Sequence, residues 1–90
     1  MNISRNEQRA LHVLALGGCI RHERGEGSKI TAVTGITREG MILSGFDRPL
    51  FERLRRRGLI ASRSGQPYRI SRRGLAAVRA QADNKEIPSC

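Results

Sequence analysis

The sequence predicts a small α+β domain, and three features predict it. A Ser-x-x-Glu start opens a run of apolar residues at helical spacing. Between residues 19 and 44 the pattern turns strand-like around a glycine cluster. From Asp47 a second helical pattern leads through two short strands into a closing helix. At 90 residues the chain makes one domain, for which we set the boundary at 1–82, with residues 83–90 as a flexible C-terminal tail lacking any core pattern.

The first helix is expected over residues 4–16. In Ser4-Arg5-Asn6-Glu7 each side chain reaches an orphan amide of the first turn, the reciprocal arrangement of a capping box. Ala10, Leu11, Leu14 and Ala15 follow at helical spacing. Gly17-Gly18 ends the run, because glycine enters the left-handed cap without a Cβ clash.

Cys19 to Glu23 and Lys29 to Thr37 flank Gly25-Glu26-Gly27-Ser28 and predict a hairpin. In its second arm Ile30, Ala32 and Ile36 share one parity, while Thr31, Val33 and Thr37 share the other. Arg38-Glu39-Gly40 reads as a further turn. The apolar run Met41-Ile42-Leu43 is β-compatible, although its period also allows a helix start.

Asp47 is placed to cap the second helix, with Pro49 tolerated in its first turn. At about 100° per residue, Leu50, Phe51 and Leu54 form one narrow apolar stripe. Pro49, Glu52, Arg53 and Arg56 lie opposite, Arg48 and Arg55 on one flank and Arg57 towards the other; Gly58 closes the helix. Leu59 to Arg63 and Tyr68 to Ile70 then make two short strands around Ser64-Gly65-Gln66-Pro67. Ser71 caps a last helix that packs through Leu75, Val78 and Ala82.

A helix followed by a basic two-stranded ribbon and a closing helix is the layout of a winged helix. The predicted fold is therefore a winged-helix-like domain, with a β-hairpin and short strands inserted between the first helix and the recognition-type helix. In such a domain the helix enters a major groove and the ribbon touches flanking phosphates.

Composition narrows the function classes. Three aromatics, Phe46, Phe51 and Tyr68, leave the core to aliphatic residues and make a deep substrate cavity improbable. No stretch approaches the roughly 18–20 apolar residues of a membrane span. The polar start at Met1-Asn2-Ile3-Ser4-Arg5 is not a signal peptide. Cys19 and Cys90 are expected as free thiols of a reducing compartment, so the expected location is the cytoplasm.

The net charge is +9, and its placement is uneven. Residues 1–47 hold six basic side chains against five acidic ones, whereas 48–79 hold ten arginines against Glu52 alone. Codon bias explains a preference for Arg over Lys, but not the loss of acidic residues from this stretch. Such a block suits a polyanion or an acidic protein face. The expected contact residues are Arg48, Arg53, Arg55, Arg56 and Arg57 on the helix, Arg63, Gln66 and Arg69 on the ribbon, and Arg72 and Arg73 where the last helix begins. Arg53 and Arg56 are the first choice for a DNA groove, since a guanidinium fork meets guanine edges and phosphates in bidentate fashion.

Other chemistries fit less well. Cys19-x-x-His22 with His12 falls short of four zinc ligands at suitable spacing, and Cys90 sits on the expected tail. His22-Glu23 beside Arg24 would serve acid–base cleavage of RNA, but it lacks a paired acidic cluster. The Gly25 to Ser28 cluster has neither the Lys nor the spacing of a phosphate-binding loop. No cofactor, metal or catalytic residue is expected, and the protein is expected to act by binding.

Motifs along the chain add a further expectation. Asn2-x-Ser4-Arg5, Glu7-Gln8-Arg9, Leu11-His12-Val13-Leu14-Ala15, Gly17-Gly18, Arg38-Glu39-Gly40, Gly65-Gln66-Pro67-Tyr68-Arg69-Ile70 and Val78-Arg79-Ala80-Gln81-x-Asp83-Asn84 occur in order. In these the chain resembles the YjhX-like family of small bacterial proteins over roughly residues 1–85. The resemblance implies a toxin of a toxin–antitoxin pair, proposed to interfere with DNA topoisomerase I, with a cognate antitoxin as partner. It supplies no functional residues. Three readings follow: a toxin docking on a DNA-processing enzyme and touching DNA as well, a DNA-binding transcriptional regulator, and an RNA-cleaving toxin using His22 and Glu23.

Overall fold

The computed structural model of the chain describes residues 3–27 and 29–85. Its elements run α1 (Arg5–Ala15), β1 (Cys19–Arg24), β2 (Ile30–Ile36), α2 (Arg48–Arg56), β3 (Ile60–Ala61), β4 (Arg69–Ile70) and α3 (Arg72–Lys85).

Both ends of α1 follow from their residues. The Ser4 hydroxyl accepts from the Glu7 amide at 3.1 Å, and Glu7 Oε1 accepts from the Ser4 amide at 2.8 Å, closing the capping box. At the other end Gly17 takes φ +114°. The amides of Gly17 and Gly18 bond to the carbonyls of Leu14 and Val13, which satisfies two orphan acceptors. α2 repeats the design. Asp47 caps it through the Leu50 amide at 3.0 Å, and Gly58 (φ +73°) and Leu59 bond back to the Arg55 and Leu54 carbonyls.

β1 and β2 pair antiparallel from Cys19 opposite Ile36 to Arg24 opposite Ile30, with a bulge at Glu23/Arg24. After β2 the chain turns at Gly40 and runs back. The Thr37 amide bonds to the Met41 carbonyl, the Leu43 amide to the Gly35 carbonyl, and Ile42 forms a bridge with Ile36. The apolar run 41–43 therefore takes the strand option, although Met41 and Ile42 remain 67% and 74% exposed.

The β3–β4 ribbon has only two paired positions, Ile60 opposite Ile70 and Ala61 opposite Arg69. Its turn runs through Ser64 (φ +56°) and Gly65 (φ +75°), with the Gln66 amide bonded to the Arg63 carbonyl. Positive φ at both central positions is the mark of a type I′ turn, whose twist suits a hairpin. Main-chain bonds in both directions between Ile20 and Tyr68, at 2.9 and 2.8 Å, knit β1 to this ribbon.

The core gathers Ala10, Leu11 and Leu14 of α1, Leu50, Phe51 and Leu54 of α2, and Ile20, Ile30, Leu59, Ile60, Tyr68 and Ala77. Tyr68 is its hinge point, edge-on to Phe51 at 5.0 Å and to His22 at 5.2 Å. α3 crosses the ribbon so closely that a methyl group on Gly74 would strike the Leu59 carbonyl oxygen and the Ile70 side chain. Val78, expected as core, is partly buried against it.

α3 runs to Lys85, past Ala82 where the sequence pattern ended it. Residues 83–85 contain no helix breaker, Pro88 being the first, so an Ala-rich helix continues into them. The remainder of the expected tail, Cys90 included, lies outside the described residues, as do Met1, Asn2 and Ser28.

Candidate functional site

The arginine-rich stretch supplies α2, the β3–β4 ribbon and the start of α3, and the guanidinium groups of its nine expected contact arginines, Arg79 not being among them, divide into two sets. The first set is engaged with the protein itself. Arg53 Nε lies 3.8 Å from Glu7 Oε2 and Arg57 Nη1 lies 3.6 Å from Glu7 Oε1, while the Glu7 side chain is only 2% exposed. This corrects the position expected for Arg53, opposite the apolar stripe: Arg53 and Arg57 form an i, i+4 row next to the Leu50–Leu54 row, so both flank the buried stripe and reach Glu7 of α1.

Arg55 is bound differently. Its Nη2 donates to Glu52 Oε1 at 3.0 Å, and its guanidinium carbon stands 5.7 Å from the Phe51 ring centroid. Hydrogen bonding with the Tyr68 side chain raises the Arg55 pKa above its ordinary value; desolvation opposes this and Glu52 adds to it. Arg73 Nη1 donates to the Arg57 carbonyl at 3.3 Å, at the end of α2.

Arg48, Arg56, Arg63, Arg69 and Arg72 form the second set. Among the described residues these five make no hydrogen bond or ion pair through their guanidinium groups. Three of them converge. Arg63, Arg69 and Arg72 line one open groove on the ribbon, together with Ser62, Gln66 and Pro67. The Ser62 hydroxyl donates to the Gln66 carbonyl, which ties the groove wall at the base of the turn. Ser71, at the start of α3, donates its hydroxyl to the Gly58 carbonyl and accepts from the Gly74 amide at 3.0 Å, which sets where Arg72 leaves the helix. Arg48 and Arg56 stand on α2 and do not line this groove.

Arg21 joins this region without any local signal in the sequence. This exposed residue of β1 lines the neighbouring cleft with Gly65 and Pro67, on the other side of the turn. Only the long-range Ile20–Tyr68 pairing brings it there, and no local pattern signals that pairing.

His22 and Glu23 are successive residues of β1, and both line the cleft that also holds Arg21. The His22 ring packs against Tyr68, and its Nδ1 is buried without a hydrogen-bond partner among the described residues. Cys19 is a free, half-buried thiol. Among the described residues no three His, Cys, Asp or Glu side chains gather as a metal site, and no helix is long and apolar enough to cross a membrane.

Known relatives align over nearly the whole chain. A UPF0386 protein of Cereibacter sphaeroides is 71% identical over 85 residues, covering 94% of this chain and 98% of the relative. One from Rhodospirillum rubrum is 61% identical over 90 residues and covers all of both chains. No solved structure matches the chain. The model of the YjhX toxin family, described as the putative toxin of a bacterial toxin–antitoxin pair, matches residues 1–85. With that match over almost its full length, this chain belongs to the YjhX toxin family.

Proposed function

We propose that the chain is a non-catalytic cytoplasmic toxin that presses its β3–β4 ribbon and α2 against DNA in the manner of a winged helix, and thereby obstructs DNA topoisomerase I. The observation that carries this reading is the groove in which Arg63, Arg69 and Arg72 converge without a carboxylate. Three guanidinium forks around one open groove suit successive phosphates, which position a protein on a duplex. The element order α2, β3, β4 and the pairing of β1 with Tyr68 support the winged-helix comparison. Interference with topoisomerase I comes from the family resemblance alone. Membership of a toxin–antitoxin family implies a cognate antitoxin as the second partner.

The test is a plasmid-relaxation assay with purified topoisomerase I, run beside a duplex-binding titration. The unaltered protein is expected to block relaxation and to bind DNA with a log–log salt slope of roughly −0.9 per phosphate neutralised. Arg63→Ala, Arg69→Ala and Arg72→Ala together should make that slope shallower by about 2 to 3. Relaxation unaffected at saturating protein removes the topoisomerase part. Duplex binding that is absent or insensitive to salt removes the DNA part.

A further inference from the structure

The outward face of α1 carries a second surface, separate from the arginine groove. At about 100° per residue, Arg5, Gln8, Arg9, His12, Val13 and Leu16 fall on one side of the helix, opposite the buried Glu7, Ala10, Leu11 and Leu14. A shallow groove runs between this face and α3, with Val13 and Val78 on its floor and Arg5, Arg9 and His12 along its edge. A second groove starts from the same Val13 and continues past Leu16 to Thr37, Arg38 and Glu39. Leu16 is 60% exposed there. The two grooves share Val13 as a lining residue, and together they border the outward face of α1.

Its chemistry differs from that of the ribbon. The floor is aliphatic, formed by Val13 and Val78, and the His12 imidazole stands at its edge. The edge is cationic: Arg5, Arg9, His12 and Arg38 face a single carboxylate, Glu39, among the described lining residues. Glu7 belongs to the same helix but points inward to Arg53 and Arg57. An apolar floor with a basic edge complements an apolar stripe flanked by carboxylates. At 11 residues α1 is about 16 Å long, which matches roughly three turns of a partner helix.

We infer that the outward face of α1, with the two grooves that border it, is a docking site for an acidic amphipathic helix of a partner protein, seated along α1 by apolar residues at i, i+3, i+4 and i+7. The partner's carboxylates meet Arg5, Arg9 and Arg38, and its apolar stripe covers Val13, Leu16 and Val78. This surface is independent of the ribbon, so one molecule presents a polyanion face and a protein-binding face.

The probe is a synthetic helix of about 15 residues with Leu at those spacings and Glu on both flanks, titrated into the isotope-labelled protein and followed by NMR. Shifts are expected to concentrate on Arg5–Leu16 and around Val78. Leu16→Asp at the exposed end of the face and Val13→Asp at its half-buried floor should each weaken binding at least tenfold while leaving the circular dichroism spectrum and the salt slope for DNA unchanged. Arg9→Glu should reject the Glu peptide and accept one in which Lys replaces Glu. A scrambled peptide of the same composition should bind at least tenfold more weakly. Shifts centred on Arg63 and Arg69, equal binding of the scrambled peptide, or no shifts at millimolar peptide would each overturn the inference. Of these outcomes only shifts centred on Arg63 and Arg69 would bear on the ribbon, whose own variants test its DNA contact separately.

Discussion

Nε of Arg53 stands 3.8 Å from Oε2 of Glu7, the buried carboxylate that also closes the N-cap of α1. One acidic side chain thus caps its own helix and fastens the next. Arg53, a first choice for a DNA groove on sequence grounds, has a structural task as well. Arg56, on the same helix, has no such bond among the described residues.

The two arginines should therefore separate in experiment. Arg53→Ala leaves Glu7 buried with only Arg57 beside it. The loss should be roughly 1 kcal/mol, below the buried-pair figure because the Arg53 side chain is 46% exposed and screened by solvent. For a domain this size that lowers Tm by about 4–8 °C in a thermal melt. Arg56→Ala should leave the melt unchanged and weaken DNA binding alone. Equal melts for the two variants would contradict the ion-pair assignment.

Glu7→Gln keeps the shape of the cap and removes its charge. It should destabilise the fold by about 1–2 kcal/mol, since two guanidinium groups lose their counter-charge while the hydrogen bond to the Ser4 amide is retained. Chemical denaturation measures this. A midpoint unchanged by the substitution would mean that Glu7 serves as a cap only.

Gly74→Ala reverses the usual rule. Within an exposed helix the change favours folding by about 1 kcal/mol. Here the added methyl meets the Leu59 carbonyl and Ile70, so a net loss of roughly 1–3 kcal/mol is expected. Denaturation midpoints give the sign directly.

Ser64→Asn should stabilise the ribbon. Ser64 sits at φ +56°, a region that Asn tolerates better than Ser, and Asn-Gly is the favoured pair for this turn. A gain of roughly 0.5 kcal/mol is expected, with DNA affinity unchanged or slightly improved. A lower melting temperature would show that the Ser64 side chain has an additional role.

Tyr68→Ala should cost roughly 3 kcal/mol, because it removes the ring that touches Phe51, His22 and Arg55 at once. Tyr68→Phe keeps the rings packed and releases the hydroxyl contact to Arg55. It should melt within about 1 kcal/mol of the unaltered protein, the typical value of one hydrogen bond.

Much of this architecture was readable from local chemistry. Ser4-x-x-Glu7, Asp47 and the glycines at 17, 18 and 58 mark helix ends because caps depend on a few adjacent residues. The narrow stripe of Leu50, Phe51 and Leu54 is buried as its spacing requires. One miss is local and the other long-range. Glu7 was read as a cap only, although it stands at i−3, i−4 and i−7 to the buried Ala10, Leu11 and Leu14, a spacing that already marks it as inward-facing. The Ile20–Tyr68 pairing, and with it the position of Arg21, depends on strands 48 residues apart in sequence and leaves no periodic trace. The candidate site was legible as a list of cationic residues. Which of them converge, and which are tied to the protein's own groups, was decided by tertiary packing.

The main-chain pair between Ile20 and Tyr68 also has a mechanical meaning. A push on the Gly65 tip is carried through Tyr68 into β1, and from β1 through Gly18 to the end of α1. The tip is braced like a bracket bolted at two points, instead of swinging on its short stalk. Little orientational freedom is left for a target to suppress, so contact at the tip forfeits less entropy than contact through a loose arm.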